Sequence, residues 1–332
     1  MAIKSKMNKI KKAGKSLIST DKRIKNLKEK GELDKPVIYY EMDWLRCLIK
    51  YKASPNDYIL FKMYDKSPWE REGIVTYKKH QKLDRLLNDY SGNIDLIGNK
   101  AKFNQYMKDY IKRQWIYSGT ASFDELESFF KTHGTVFFKP TKSTQGIGIK
   151  KLDFEKAEDR DFLFNNRDRE FLLEEPIKQN HVINEINPYA VNTLRVNTII
   201  TREGKPVIIQ ACLKVSNDKS CVDNLSAGGY VYPIDLETGK ILKRGISYFG
   251  EQAPTKHPIT GTTIMGVQIP YFDEIKSSVL EMATKFPKFG YLGWDIAVTE
   301  DGFDVIEVNT SPGTKLLQCD GEGKYHKIIS LI

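Results

Sequence analysis

The sequence predicts an α+β fold built largely of antiparallel sheets. Two observations support this prediction: strand-like segments rich in Val, Ile and Phe follow one another after residue 134, and they are closed by short turns. Helical patterns dominate residues 36–90 and interrupt the later strands at only a few places. The 332 residues are enough for two or three packed units.

The elements can be placed in order. One amphipathic run over residues 39–49 and a helix start at Pro68 make the N-terminal region helical. Ser122 and Glu125 have the spacing of a capping box before a short helix. A further helix over 275–286 precedes the last two strands. The predicted strands are 135–140, 146–152, 171–175, 193–201, 206–215, 229–236, 293–298 and 304–309.

The composition is that of an ordinary soluble protein, 40% hydrophobic and 29% charged. We find no apolar run of the roughly 18–20 residues that span a bilayer, and no apolar segment typical of a secretory signal. The four cysteines form no CxxC pair, and the five histidines lack zinc-site spacing. We therefore expect a cytoplasmic protein with reduced thiols.

Positive charge is concentrated at the N-terminus. Residues 1–35 contain 12 Lys or Arg and 4 Asp or Glu, whereas the whole chain has a net charge of +9. Nucleic-acid binding would have to depend on this leader alone, so we do not expect it. Apolar residues recur among the lysines at roughly helical spacing. The leader is therefore either solvated and partly frayed, or a basic helix on anionic lipid at the inner face of the membrane.

The last two strands bring oxygen-bearing side chains to one face. Glu307 and Asn309 point the same way because strand residues alternate between faces. A three-residue turn over 300–302, with Gly302 in the left-handed conformation, would place Asp295 opposite Glu307. A two-residue turn would put Asp295 on the other face. With the first register the cluster predicts a Mg²⁺ site; the alternative is a polar hairpin face that meets water.

A small polar loop with two glycines links the strands around residues 139–149. Backbone N–H groups and hydroxyls in such a loop can approach an anion, and Lys139 would project a cation into the cleft. The chain has no GxxxxGK[ST] motif, and no GxGxxG opens a helix. The loop is therefore either a flap over phosphates or a plain hairpin turn.

In their order, these segments resemble the ATP-grasp superfamily. The resemblance extends from about residue 36 to the end and implies two antiparallel-sheet subdomains that clasp ATP, with a helical N-terminal region. The segments that resemble the superfamily are Asn-Lys-Ala-Lys-Phe at 99–103, the strand and glycine loop at 135–149, Phe-Leu-Leu-Glu-Glu-Pro-Ile at 171–177, which resembles the adenine-binding hinge, and the metal segment with Asp295, Glu307 and Asn309. Segments 192–196, 222–229 and 312–318 are similar to its sugar-transfer-associated branch, found with polysaccharide biosynthesis.

The resemblance also implies a domain organisation and a set of nucleotide contacts. The expected divisions are a leader (1–35), a helical region (36–95), a lid (96–180) and a C-terminal subdomain with the metal site (181–332). Lys100 and Lys139 would contact ATP phosphates, and Glu174 would accept from the adenine amino group. His181 stands where many members place a ribose-binding Glu. The other cofactor-binding candidates are Thr141, Ser143, Thr144, Gly146, Gly148, Glu175 and Ile177.

Further residues are candidates for chemistry and substrate binding. Arg195 lies in mid-strand between apolar residues and needs an anionic partner, either in a buried ion pair or on a phosphate or acyl phosphate. Lys214 ends an apolar strand and faces either this cleft or solvent. The catalytic candidates are Arg195, Lys214 and Asn224, the metal ligands Asp295, Glu307 and Asn309, and the substrate contacts Gly228, Gly229, Ser311 and Gly313.

The resemblance implies an ATP-dependent carboxylate–amine ligase. Its cofactors would be ATP and Mg²⁺, with two ions expected and Mn²⁺ as an alternative. Its substrates would be a small-molecule or sugar-linked carboxylate and an amine, in surface polysaccharide biosynthesis. Two other functions stay open: an ATP-grasp phosphotransferase with a hydroxyl acceptor, and an ATP-binding scaffold without turnover.

Overall fold

The computed structural model describes residues 21–92, 94–143, 146–217, 228–248 and 250–332. In these ranges every helix is too short or too polar to cross a membrane. The helices are α1 (21–29), α2 (Val37–Tyr51), α3 (Pro55–Leu60), α4 (Pro68–Gly73), α5 (Tyr77–Leu87), α6 (Asp95–Gly98), α7 (Lys100–Tyr106), α8 (Phe123–His133), α9 (Ala157–Asn165), α10 (His181–Ile186), α11 (Phe272–Thr284), α12 (Thr314–Leu317) and α13 (Tyr325–Leu331), with 3₁₀ turns at Met63–Asp65 and Lys108–Tyr110.

The strands are β1 (Trp115–Tyr117), β2 (Thr135–Pro140), β3 (Lys150–Asp153), β4 (Phe171–Glu174), β5 (Thr193–Ile200), β6 (Pro206–Val215), β7 (Tyr230–Ile234), β8 (Ile246–Ser247), β9 (Tyr291–Thr299) and β10 (Gly302–Asn309). They form two sheets with antiparallel pairing throughout, in the orders β1-β4-β2-β3 and β10-β9-β5-β6-β7-β8. The predicted α+β class with a helical N-terminal region is confirmed.

The helices begin where the sequence places capping residues. Ser67 and Glu70 form a capping box at the start of α4, with Pro68 in its first turn. Ser122 and Glu125 form the predicted capping box of α8. In each box the serine hydroxyl accepts from a backbone N–H that has no partner within the helix, which fixes the first turn.

The smaller sheet packs against α8 and α9 around a cluster that includes Phe130, Phe138 and Phe171. Its strand β3 is shorter than predicted and begins at Lys150. The reason is local geometry: Gly146 and Gly148 both have positive φ, which turns the chain before the pairing begins.

The larger sheet separates two environments. One face packs on α11 around residues such as Leu194, Val196 and Trp294. At one end of the opposite face, α5, α12 and α13 cover Ile199 and Tyr291. The other end of that face is polar, and the candidate site lies there.

Candidate functional site

The site is built on one face of three neighbouring strands. Asp295 on β9 is paired in register with Arg195 on β5 and with Glu307 on β10. Asn309 follows two residues after Glu307, so its side chain lies on the same face. The predicted register of Asp295 opposite Glu307 is therefore confirmed.

The turn that we predicted for this hairpin is wrong. Thr299 pairs with Gly302, which leaves only two residues in the turn. The register then shifts between Val305 and Glu307, where Ile306 forms a β-bulge. The bulge adds the one residue that the shorter turn lacks, so Asp295 and Glu307 still meet. Gly302 has a positive φ of 135°, outside the left-handed helical region that we expected.

Asp295 is held by two cations. The Arg195 guanidinium donates in bidentate fashion, with Nε 2.7 Å and Nη2 2.8 Å from the two carboxylate oxygens. The Lys214 ammonium lies 3.4 Å from Asp295 Oδ1. The Asn309 amide nitrogen lies 3.4 Å from Asp295 and 3.3 Å from Glu307. Arg195 thus sits in a buried ion pair, one of the two arrangements considered for it.

Nearby cations stabilise the charged form of Asp295 more than that of Glu307. Burial alone would raise the pKa of Asp295, but Arg195 and Lys214 bring it well below its usual range. Burial and the Asp295 charge raise the pKa of Glu307, although Lys214, Arg195 and Lys100 act against them. Glu307 is therefore a half-buried carboxylate whose charged form a further positive charge would stabilise.

This donor set fits a hard divalent cation. Two carboxylates and an amide oxygen are ligands of the kind that Mg²⁺ takes, with water and phosphate oxygens completing the coordination. Among the described residues no group of three His, Cys, Asp or Glu could hold a metal, so such an ion would depend on the Asn309 amide oxygen. Rotation of that amide would exchange its nitrogen for its oxygen at the two carboxylates.

Lys100, at the start of α7, lies near this cluster, and Lys139 on β2 lies near Lys100. The ammonium of Lys100 donates to the Ser143 carbonyl oxygen at 2.6 Å, and that of Lys139 to Glu174 at 2.6 Å. Burial lowers the pKa of Lys100, while the charge of Glu307 raises it and that of Lys139 lowers it. Lys100 therefore lies close enough to both sheets for charged groups on each of them to change its pKa.

The glycine loop follows Lys139 in the sequence and contacts Lys100. Its base is fixed because Thr141 is buried against Glu170 and accepts at its carbonyl oxygen from the Lys100 backbone N–H at 3.0 Å. A Cβ on Gly148 would approach the Pro140 ring to 3.0 Å. Ser143 and Gly146 belong to the same loop. Thr144, between them, lies outside the described residues.

The carboxylate of Glu174 is already surrounded by donors. Arg113 Nε lies 2.6 Å from it, and the Asn104 amide donates at 3.2 Å, in addition to the Lys139 contact. Burial would raise the pKa of Glu174, but Arg113 and Lys139 hold it well below its usual range. The proposed adenine contact stays a prediction, and it would have to share a carboxylate that three side chains engage.

Arg113 also binds the hairpin of the larger sheet. Its Nη1 donates to Asp304 at 2.8 Å and to the Val305 carbonyl oxygen at 2.9 Å, next to the bulge. Both partners and the guanidinium itself are buried. Sequence reasoning missed this residue, because nothing in its neighbourhood marks it as buried.

The rest of the hinge makes structural contacts. Glu175 accepts from the Gln114 backbone N–H at 2.7 Å and continues the pairing of β4 with β1 through its own N–H. Ile177 follows β4 outside any regular element. His181 is exposed and pairs with Glu300 at 3.0 Å, at the tip of the last hairpin. The hydrogen bond to Glu300 raises the pKa of His181.

The segment after the metal-ligand candidates is held by the N-terminal helical region. His80 Nε2 lies 2.6 Å from the Pro312 carbonyl oxygen, and Asn88 donates to the Thr310 carbonyl oxygen at 2.5 Å. These contacts leave Ser311 and Gly313 exposed, so their backbones are accessible to a substrate. Neither anchor was identified from the sequence.

Gly293 shapes the floor beneath this segment. A Cβ there would meet the Pro312 ring at 2.7 Å and the Arg195 side chain at 3.2 Å, so only glycine allows the close packing. Gly228, with a φ of 100°, and Gly229 precede β7. Asn224 lies outside the described residues.

Comparison with solved structures finds proteins of low identity. The ATP-grasp ligase PsnB complexed with its minimal precursor is 16% identical, with a TM-score of 0.42, covering 73% of this chain and 64% of that one. D-alanyl-alanine synthetase A from Vibrio cholerae O1 biovar eltor str. N16961 is 15% identical, with a TM-score of 0.44, covering 71% and 60%. N5-carboxyaminoimidazole ribonucleotide synthetase from Thermotoga maritima is 12% identical, with a TM-score of 0.45, covering 76% and 56%. The chain thus spans less than two thirds of each.

No curated protein matches the sequence. The model of one protein family does match, over residues 79–330, which include both sheets and every candidate site residue. Its description, "Sugar-transfer associated ATP-grasp", agrees with the branch that the sequence resembles. The chain belongs to the sugar-transfer associated ATP-grasp family.

Proposed function

We propose that this chain is an ATP-dependent carboxylate–amine ligase that forms an amide through an acyl phosphate, in surface polysaccharide biosynthesis. The observation that supports it is the cluster in which Asp295 and Glu307 meet Arg195 and Lys214 on one sheet face, with Lys100 approaching from the lid. The polysaccharide role rests on the sequence resemblance alone, since the family description names only sugar transfer. In this proposal residues 96–180 are the lid and 181–332 the metal-binding subdomain.

The reaction needs positioning and charge neutralisation more than a protein nucleophile. A substrate carboxylate oxygen would attack the γ-phosphorus of ATP, and the bond from that phosphorus to the β–γ bridging oxygen would break, releasing ADP. The amine would then attack the acyl carbon, lose a proton and displace orthophosphate. Mg²⁺, held by Asp295, Glu307 and Asn309, would offset charge on the phosphate oxygens. One ion fits the ligands described; we expect a second, with Mn²⁺ able to substitute.

The chain's own cations would bind the reacting groups. Lys100 and Lys139 project from the lid side and would bind phosphate oxygens. Arg195 presents a guanidinium that Asp295 orients, and it would stabilise the negative charge that develops on the transferred group. The backbone of Ser311 and Gly313 would receive the substrate carboxylate. Closure of the glycine loop would exclude water, which would otherwise hydrolyse the acyl phosphate.

The test is a hydroxylamine trap. The protein is incubated with Mg²⁺, ATP, hydroxylamine and a panel of sugar-linked and small carboxylates, and ADP and hydroxamate are measured. Hydroxylamine attacks an acyl phosphate whatever the natural amine is, so a ligase releases ADP and forms hydroxamate only with its own carboxylate. With an ¹⁸O-labelled carboxylate, one label should appear in the released phosphate.

Glu307→Gln is the test variant and Asp301→Asn is its matched control. Both replace a carboxylate with an amide in the same hairpin, but Asp301 is exposed in the turn and accepts from the Thr299 hydroxyl. We expect Glu307→Gln to lower turnover by at least about 100-fold, and Asp301→Asn to leave it within about two-fold. A phosphorylated product without free phosphate would refute the ligase and identify a phosphotransferase. ATP binding without turnover on any carboxylate would favour the scaffold.

A further inference from the structure

The outer face of α2 is an apolar strip. Ile38 is 62% exposed, Met42 48% and Ile49 72%. At 3.6 residues per turn these three side chains fall within about 40° of one another around the helix. Tyr40 and Trp44 are buried on the opposite side. The helix therefore has two apolar faces. One packs into the protein, and the other is exposed on the surface of the described chain.

Basic side chains border this strip on one side. Arg46 and Lys50 are exposed at the helical positions next to it, with Tyr39 between them and the strip's edge, and Lys35 is exposed just before the helix begins. The Lys35 ammonium lies 4.2 Å from the centre of the Tyr39 ring and 3.2 Å from its hydroxyl oxygen. Long basic side chains and a tyrosine can keep polar ends in water while their stems follow apolar surface.

The two acidic residues of α2, Glu41 and Asp43, offset these cations only in part, because neither is fully exposed. Asp43 is buried, where it binds Arg71 at 2.8 Å and the Tyr58 hydroxyl at 2.8 Å. Glu41 is half-buried beside Asp21, which itself pairs with Lys25. The sequence adds charge of the same sign upstream, since residues 1–20 contain six lysines and no acidic residue. Basic side chains around the strip thus outnumber the acidic ones, Asp34 and Glu41.

We propose that this face of α2 docks on an anionic lipid surface. Ile38, Met42 and Ile49 enter the boundary between headgroups and acyl chains, and Lys35, Arg46 and Lys50 contact lipid phosphates. Charge decides between lipid and a second copy of this chain. Two copies paired through these strips would bring their like-charged borders together, whereas an anionic bilayer satisfies both the apolar strip and its basic border.

The test is sedimentation of the full chain with vesicles of phosphatidylcholine alone or mixed with phosphatidylglycerol. The wild type should bind the anionic vesicles and lose that binding at high salt. Ile38→Glu/Ile49→Glu should lower the partition coefficient by at least about 10-fold, since it removes two apolar anchors. Leu242→Glu is the control, because Leu242 is 55% exposed outside α2 and should bind like the wild type.

Each alternative outcome is decisive. Binding that survives Ile38→Glu/Ile49→Glu would overturn the proposal and assign attachment to the N-terminal leader. A wild type that fails to bind, but forms a dimer that the double variant abolishes, would overturn it in favour of a second copy. Far-UV circular dichroism and ATP affinity, both expected to match the wild type, exclude misfolding of the variant.

Discussion

At the scale of single residues, Arg113 is the most consequential side chain that sequence reasoning missed. It is buried, and its guanidinium joins Glu174 of the smaller sheet to Asp304 of the larger one. These partners lie 61 and 191 residues away in the sequence. Local sequence patterns cannot reveal such a pairing. Arg113 is flanked by Lys112 and Gln114, which are the polar neighbours expected of an arginine on the surface.

We expect Arg113→Met to destabilise the fold strongly. The substitution leaves Glu174 and Asp304 buried with fewer partners, and breaking a buried ion pair from one side costs about 3–5 kcal/mol. Urea unfolding should show this loss. Arg85→Met, at an exposed position of α5, should stay within about 0.5 kcal/mol of the wild type. Equal losses in both variants would contradict a special role for Arg113.

His80 gives the molecule a pH dependence. Burial lowers the pKa of His80, whose Nε2 binds the Pro312 carbonyl oxygen. A histidine with a lower pKa in the folded chain contributes stability above its unfolded pKa, about 6.5, and loses that contribution as pH falls. The free energy of unfolding should therefore decline below pH 6.5.

The variant His80→Gln isolates this contribution. Glutamine can donate an N–H to Pro312 but does not titrate between pH 5 and 8. Urea unfolding from pH 5 to 7.5 should give a shallower decline for His80→Gln than for the wild type. If the two slopes agree, groups other than His80 cause the pH dependence.

At the scale of elements, the last hairpin shows what alternation can and cannot predict. The shared face of Asp295, Glu307 and Asn309 follows from the period of two, and it is confirmed. The prediction of the turn was wrong because one extra residue can be placed either in the turn or in the strand. Both placements bring Asp295 opposite Glu307. Sequence alternation does not distinguish the bulge at Ile306 from a longer turn.

Gly302 should be sensitive to substitution. Its φ of 135° is one that L-residues rarely adopt, although no atom lies closer than 3.7 Å to the position of a new Cβ. Gly302→Ala should therefore destabilise the protein by about 1–3 kcal/mol through backbone strain alone. Gly98→Ala, in α6 with open space around it and no positive φ, should instead stabilise by about 0.4–1 kcal/mol. Urea unfolding of the two variants should show shifts of opposite sign.

At the scale of the whole molecule, the order of segments predicted more than any single motif. The lysine, glycine-loop, hinge and metal segments are each short, but their sequence along the chain indicated the family. The contacts that bring the two sheets and the helical region together were not predicted. Arg113, His80 and Asn88 act over separations for which one sequence contains no signal.

A nucleotide that contacts both sheets should stabilise the whole chain. At a concentration of ATP and Mg²⁺ 100 times the dissociation constant, the gain is about 2.7 kcal/mol. Thermal unfolding should show a rise in Tm that depends on Mg²⁺ and disappears with a chelator. Glu307→Gln should lose the Mg²⁺-dependent part of the rise, whereas Asp301→Asn should retain it. A full rise in Glu307→Gln would place the ion elsewhere.

The anchoring of the segment at 310–313 also bears on where an autonomous folding unit begins. The family match starts at residue 79, yet Gln318, which is fully buried, accepts from the Val75 backbone N–H at 2.7 Å and donates to the Val75 carbonyl oxygen at 3.2 Å. If the chain were shortened to the matched region, the Gln318 carboxamide would stay buried but would lose both hydrogen bonds to Val75. The segment before residue 79 is thus a structural component of the region that the family matches, and a shortened version should melt earlier and hold residues 310–313 less firmly.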